Sequence, residues 1–325
     1  MTARAPDHDL ETLATSARAH LVREIDASGA WAADPVWREA FTAVPRHLFV
    51  PSYYLPDPAG GYERRWGGDP DPRRREEWLR GAYDDTPLAT RVRDGELLSS
   101  SSQPSLMAMM LTELRVEDGN AVLEIGAGTG YNAALLAHRL GDDLVTTVDL
   151  DPEITESARQ HLRAAGHHPV VVTGDGARGV PARAPYDRII ATCALRTIPG
   201  AWPAQCRPGA RILAPCATGL IALRVRDARR AEGRFLPTPA YFVPLRGSAR
   251  PEPPSVGGLP RRARNNDLFR FLLDLTAGGL DPYDAYTLWE REGRPARERY
   301  GITVSGEESW AWLDTPQGPY VWPLP

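Results

Sequence analysis

At 325 residues the chain is long enough for one large domain or two of ordinary size, and its 42% hydrophobic and 25% charged residues are those of a globular rather than a disordered protein. The formal net charge of −4 sets up no overall attraction to nucleic acid or to an anionic membrane. All 38 basic residues are arginine, so no lysine Schiff base or P-loop lysine can operate here.

The N-terminal MTARAPDHDLET has acids and no apolar core, unlike a secretory leader, and no stretch approaches the ~18 apolar residues of a membrane span. A cytoplasmic location is expected. Leucines and alanines at helical spacing predict a helix from about Asp9 to Ile25, and PVWREAFTAV predicts a second. Pro51 to Arg80, rich in Pro, Gly, Tyr and charge, reads as an irregular covering segment. The run Ser99-Ser100-Ser101-Ser102 has the composition of a linker, but SLMAMMLTELRV behind it reads as a helix that a serine could cap. From NAVLEIGAG onward, strands alternate with helices: YNAALLAHRL, DLVTTVDLD, PEITESARQHLRAA, HPVVVTGD and YDRIIATCA, then PGARILAPC and GLIALRVRD as strands. That alternation predicts a doubly wound α/β fold with a parallel sheet. RGSARPEPPSVGGLPRRAR (246–264) reads as a linker. Two amphipathic helices, NNDLFRFLLDLTAGG and DPYDAYTLWERE, and a tail rich in Trp and Pro follow it.

The sharpest local signal is VLEIGAGTGY (122–131). A buried strand runs into Gly126, Gly128 and Gly130, and a helix starts there. Glycines at such a place let the backbone turn tightly and approach a ligand. Asp149, followed by Leu150, ends the next strand about twenty residues on, where an acid accepts from ribose hydroxyls. The plainer reading is a glycine turn with a surface aspartate. A dinucleotide fingerprint wants G-x-G-x-x-G, whereas here the spacing is G-x-G-x-G and the sixth place holds Tyr131. Asp175 and Gly176 end the third strand; as a turn aspartate Asp175 would also be unremarked. Cys193, Cys206 and Cys216 are too far apart for a CxxC pair and read as buried thiols. No metal is expected, since the neighbours His167 and His168 seldom point at one ion.

Preceded by Glu124, the G-x-G-x-G form resembles the first motif of class I S-adenosylmethionine-dependent methyltransferases. Several further stretches follow in order: AFTAVPRHLFVP (40–51), AYDDTPLA (82–89), SSQPSLMAMMLTEL (101–114), GDGARGVPARAPYDRIIATCA (174–194), RPGARILAP and FVPLRG. Together they resemble the protein-L-isoaspartate O-methyltransferases, over roughly residues 10–248. The resemblance implies a seven-stranded, mostly parallel sheet with a helical N-terminal region over the cofactor. It implies S-adenosyl-L-methionine as cofactor, with Glu124, Gly126, Gly128, Gly130, Asp149, Leu150, Asp175 and Gly176 around it. It also implies a substrate site lined by Ser102, with Ser101 as the alternative. Leu195 and Arg196, in CALRTIP, depart from the small, proline-containing residues of that family. Residues 1–95 are then an N-terminal covering region, 96–248 the methyltransferase domain and 249–325 a helical and aromatic extension. The extended chain resembles the actinobacterial branch that accompanies ribosomally made modified peptides, graspetides and lanthipeptides. That branch implies methylation of an aspartate in a cyclised precursor, the ester collapsing to an aspartimide. The alternative is repair of isoaspartyl residues in damaged proteins. Expected partners are a peptide or protein bearing Asp or isoAsp, with no nucleic acid and no membrane, the enzyme acting as a monomer. A non-catalytic nucleotide-binding regulator and a nucleic-acid methyltransferase share the fold; the net charge, and ATCALRTIP where an Asn/Asp-Pro-Pro-aromatic motif would stand, argue against the latter.

Overall fold

The computed structural model describes residues 6–57, 60–93, 95–246, 256–277 and 279–325. Part of the proline-rich stretch read as a linker, residues 247–255, lies outside the described residues. Two compact units emerge, Met1–Asn120 with Ala127–Thr173, and Ala121–Gly126 with Gly174–Pro325. These boundaries follow spatial packing, so they differ from divisions at 95 and 248 drawn along the sequence.

In chain order the first unit opens with α1 (Pro6–Ser28) and α2 (Trp37–Ala43). The segment expected to be irregular is instead ordered: β1 (Ser52–Pro56) and β2 (Tyr62–Trp66) form an antiparallel hairpin, and α3 (Pro72–Gly81) follows. The prolines and glycines that suggested an irregular segment mostly punctuate these elements. Asp71 caps α3 by accepting from Arg73 N–H, with Pro72 in the first turn. Next come β3 (Leu88–Arg93), β4 (Glu96–Ser101) and α4 (Pro104–Leu114); the four early strands make one sheet in the order β2-β1-β3-β4. After β5 (Val122–Ile125), which is counted with the second unit, the first unit continues with α5 (Tyr131–Leu140), β6 (Val145–Asp149), α6 (Pro152–Ala164) and β7 (Val170–Thr173). β6 and β7 pair in parallel. All five residues of β6 are buried, the pattern of a strand covered on both faces. Asp151 caps α6 and Pro152 begins it.

The second unit adds β8 (Tyr186–Ala191), α7 (Ala201–Ala204), β9 (Cys206–Cys216), β10 (Gly219–Asp227), β11 (Arg230–Pro239), α8 (Arg261–Arg264), α9 (Asp267–Leu275), α10 (Pro282–Arg291), β12 (Tyr300–Ser305), β13 (Glu308–Leu313) and β14 (Val321–Pro323). Its strand order is β14-β13-β12-β11-β10-β9-β8-β5. β5, β8 and β9 run parallel, and from β9 outward the pairs are antiparallel. The tail thus contains the two helices expected of it and also three strands, which continue the sheet from β11. Its aromatic residues fill this unit's core: Phe235 meets Phe271 edge-on at 4.8 Å, and Phe271 meets Tyr300 at 5.4 Å. Asn266 and Asp281 cap the two helices. Among the described residues, no helix is long and apolar enough to cross a membrane, and no group of three metal-ligating side chains occurs.

Candidate active site

β5 delivers the chain into the glycine loop. Gly126, Gly128 and Gly130 have φ of 99°, 51° and 86°, a region closed to most side chains. A Cβ on Gly126 would lie 2.7 Å from Thr192 Oγ1, and the Thr192 hydroxyl donates to the Gly126 carbonyl at 2.7 Å. Gly130 has a packing duty: a Cβ there would lie 3.3 Å from both Ala158 O and Leu162 Cγ on α6. Tyr131, too large for a pyrophosphate site, is instead packed inward, 5.5 Å from Phe49 and 6.1 Å from Phe41. The N-terminal motif AFTAVPRHLFVP therefore covers the first turn of α5.

In the first unit the Asp149 carboxylate, only 8% exposed, accepts from Gly128 N–H at 3.2 Å and Asp151 N–H at 3.3 Å. It ties the loop to the end of β6 and fixes its own orientation. Leu150 beside it is 44% exposed, apolar surface left open at the end of the strand. In the second unit Glu124 is buried on β5. Asp175 accepts from Ala177 N–H at 2.9 Å. Gly176 is needed for close approach: a Cβ would lie 2.6 Å from Ile125 Cγ2, and its carbonyl accepts from the buried Trp202 indole at 2.9 Å. Positive-φ glycines, a fixed acid and an open apolar residue fit the backbone, ribose and adenine requirements of S-adenosylmethionine.

The serine run differs from its sequence reading. Ser99–Ser101 belong to β4, and the residue capping α4 is Gln103, whose side chain makes no capping bond. The helix start is instead served by Asp85: its carboxylate accepts from Ser105 N–H at 2.8 Å and from Gln103 Nε2 at 3.2 Å. Ser102 is therefore no cap, and among the described residues its hydroxyl has no partner. A Cβ on Gly128 would come within 3.7 Å of Ser100 O and 3.9 Å of Ser99 Oγ, so this strand runs directly along the glycine loop.

Arg46, which sequence reasoning did not single out, organises the segment. Its guanidinium is fully buried. It donates to the carbonyls of Ala82 (2.9 Å), Asp84 (3.0 Å), Thr86 (3.2 Å) and Ser102 (3.2 Å), and to Ser101 Oγ (3.4 Å). Burial pushes its pKa down to about 10, opposed by Tyr131 and by the Asp85 and Asp84 carboxylates, so it stays a cation at neutral pH. Next to it, burial and the nearby Arg18 push His47 down to about 4, and its Nδ1 pairs with the Tyr83 hydroxyl at 2.7 Å. The available signal was an arginine set among apolar residues in AFTAVPRHLFV, a position that burial alone would punish.

The departing loop with Leu195 and Arg196 belongs to the second unit. Leu195 exchanges backbone bonds with Pro215 and Ala217, and Cys216 Sγ lies 3.9 Å from Arg196 O. The tail reaches this loop: Thr197 and Ser309 share a short hydroxyl–hydroxyl bond, and a Cβ on Gly200 would collide with Gly306 O at 2.1 Å. Cys193, Cys206 and Cys216 are buried free thiols, and burial pushes the last two up to about 12.

A parallel α/β sheet, a G-x-G-x-G turn at the end of β5 and an acid at the end of β6 define a class I S-adenosylmethionine-dependent methyltransferase. The family model described as Protein-L-isoaspartate(D-aspartate) O-methyltransferase matches residues 73–248. A protein-L-isoaspartate O-methyltransferase of Hyperthermus butylicus is 34% identical over 246 residues, covering 71% of this chain and 89% of that one. One of Ignicoccus hospitalis is 36% identical over 179 residues, covering 54% and 71%. A solved structure of a protein-L-isoaspartate O-methyltransferase aligns over 92% of this chain and 100% of its own, with TM-score 0.61 and 23% identity. A putative one from Plasmodium falciparum, in complex with S-adenosyl-L-homocysteine, aligns over 70% and 98% with TM-score 0.53 and 13% identity. The chain belongs to the protein-L-isoaspartate O-methyltransferase family and is an S-adenosylmethionine-dependent carboxyl O-methyltransferase.

Proposed function

We propose that the enzyme methylates the free carboxylate of L-isoaspartyl residues in proteins or peptides. The observation that carries this is the Ser99–Ser101 strand lying against Gly128 of the glycine loop, with the hydroxyl of the following Ser102 unpartnered among the described residues. When bound, S-adenosylmethionine supplies a methyl on a cationic sulfur, which leaves as the neutral thioether S-adenosylhomocysteine when a carboxylate oxygen takes the methyl. A carboxylate of pKa about 4 is already ionised at pH 7, so no protein base is required. The protein's task is to orient that oxygen and exclude water. Ser102 donates to the substrate carboxylate. In the first unit Gly128, Asp149 and Leu150 hold the cofactor, with Gly130 shaping the turn into α5.

A second reading, methylation of an aspartate in a cyclised, ribosomally made precursor followed by collapse to an aspartimide, draws on the Leu195–Arg196 loop and its fastening to the tail. The tail itself does not favour that reading, because an isoaspartate methyltransferase of known structure aligns over 92% of this chain, which reaches well into residues 249–325. A mass-spectrometric competition between an isoaspartyl peptide and an aspartate-containing cyclised precursor separates the two. Methylation of the isoaspartyl peptide is expected; methylation of the cyclised aspartate alone would replace this reading with the second.

A further inference from the structure

We propose that Arg46 is the positioning residue of the acceptor site: it holds the Ser102–Gln103 peptide so that the Ser102 hydroxyl and the Gln103 N–H face the substrate carboxylate. This rests on the function proposed above. A buried cation is costly unless its hydrogen-bonding groups are filled; here both terminal nitrogens are filled by oxygens of two chain segments, 82–86 and 101–102, while Nε has no partner among the described residues. Among the described residues no carboxylate is hydrogen-bonded or ion-paired to the guanidinium, so the arrangement is not a salt bridge. It is a planar fork gathering backbone carbonyls, a task to which an arginine is suited and a lysine is not.

The stereochemical consequence follows from the trans peptide. The Ser102 carbonyl points at Arg46, so the N–H of the same peptide, on Gln103, points to the opposite side. Pro104 holds Gln103 extended, at φ −58° and ψ 125°. Asp85 draws the Gln103 amide side chain and the Ser105 N–H to itself. Among the described residues the Ser102 hydroxyl and the Gln103 N–H are left without a partner, two donors on neighbouring residues, as a carboxylate's two oxygens require. Pro104 contributes no N–H that could compete.

The alternative is that Arg46 merely staples the covering region. Arg46→Lys and Arg46→Met, with Ser101→Ala as a milder variant, distinguish the two. Wild-type methylation of an isoaspartyl peptide is measured first; its failure would sink the proposed function, whereas the tests below concern Arg46. For Arg46→Lys we expect S-adenosylmethionine affinity within about twofold of wild type by calorimetry and kcat lower by about tenfold or more. Hydrogen exchange should rise across residues 99–106 and stay unchanged across 122–130. Lysine, keeping charge but not the fork, should rescue little relative to methionine. Wild-type kcat in Arg46→Lys, or loss of cofactor affinity as large as the loss of kcat, would overturn the assignment. If neither Arg46 variant folds, Ser101→Ala decides: a lowered kcat with unchanged cofactor affinity supports the proposal, and an unchanged kcat overturns it.

Discussion

The Gly126–Gly130 loop and the Ser99–Ser102 run are both short stretches of small residues, yet they acquire their shapes differently. The loop's shape is local: positive φ at alternate glycines and a clash with Thr192 Oγ1 awaiting any Cβ on Gly126. The serine run is a strand paired with β3 as far as Ser101, with Ser102 just past its end. Its functional end is shaped from a distance, by Arg46 from 55 and 56 residues away and by Asp85 from 18 and 20. A stretch whose backbone angles suit only glycine can be broken from within; one that borrows its geometry is broken from outside.

The largest effect is expected at the loop. Gly126→Ala forces a side chain into a disfavoured φ and against Thr192, and should weaken cofactor binding by roughly a hundredfold and cost ~1–3 kcal/mol of stability. Calorimetry and denaturant unfolding read the two; near-wild-type affinity would show that the loop tolerates a Cβ. Asp149→Ala should weaken S-adenosylmethionine binding by about 1–3 kcal/mol, because a charged acceptor is lost and Gly128 N–H is left without it. Unchanged affinity in the folded variant would remove the ribose role.

On the serine side the expected effects are smaller and of another kind. Ser102→Ala should cut methyl transfer by about tenfold while leaving cofactor affinity intact, since one donor of the acceptor site goes and no structural bond is lost. Equal loss of cofactor binding would mean that the residue is structural. The smallest effect is a pH dependence. His47 has its pKa lowered to about 4 against 6.5 in the ordinary state. The unfolded chain therefore takes up this proton first as pH falls. The stabilisation is complete above pH 6.5 and declines as pH approaches 4. Thermal unfolding of wild type and His47→Gln across that window should converge at the acid end; a constant difference would exclude His47 as the cause.

The same contrast explains what could be read in advance. The glycine turn, Asp149 and the strand–helix alternation were legible because each signal lies within one short stretch of sequence. Asp151-Pro152 and Asp281-Pro282 likewise announce their helices. Arg46 and Asp85 were not legible as a pair with the serines, because Arg46 acts mainly on backbone carbonyls, which leave no trace in residue type. The hairpin at residues 52–66 was hidden by Pro56 at the end of its first strand and by Gly60 and Gly61 at its turn. The tail strands were hidden differently: YGITVS is buried at five consecutive positions and ESWAWL alternates only in part, and the tryptophans of the tail drew the reading toward a helical and aromatic extension rather than further strands of the sheet.

The most direct test of the central claim uses two peptides of identical sequence that differ only in whether one residue is linked as L-isoaspartate or as L-aspartate. Transfer of labelled methyl from S-adenosylmethionine to each is followed under single-turnover conditions. The account predicts rapid labelling of the isoaspartyl peptide, as a base-labile ester, and little of its twin. Labelling of the aspartyl peptide alone, or of neither, would contradict it.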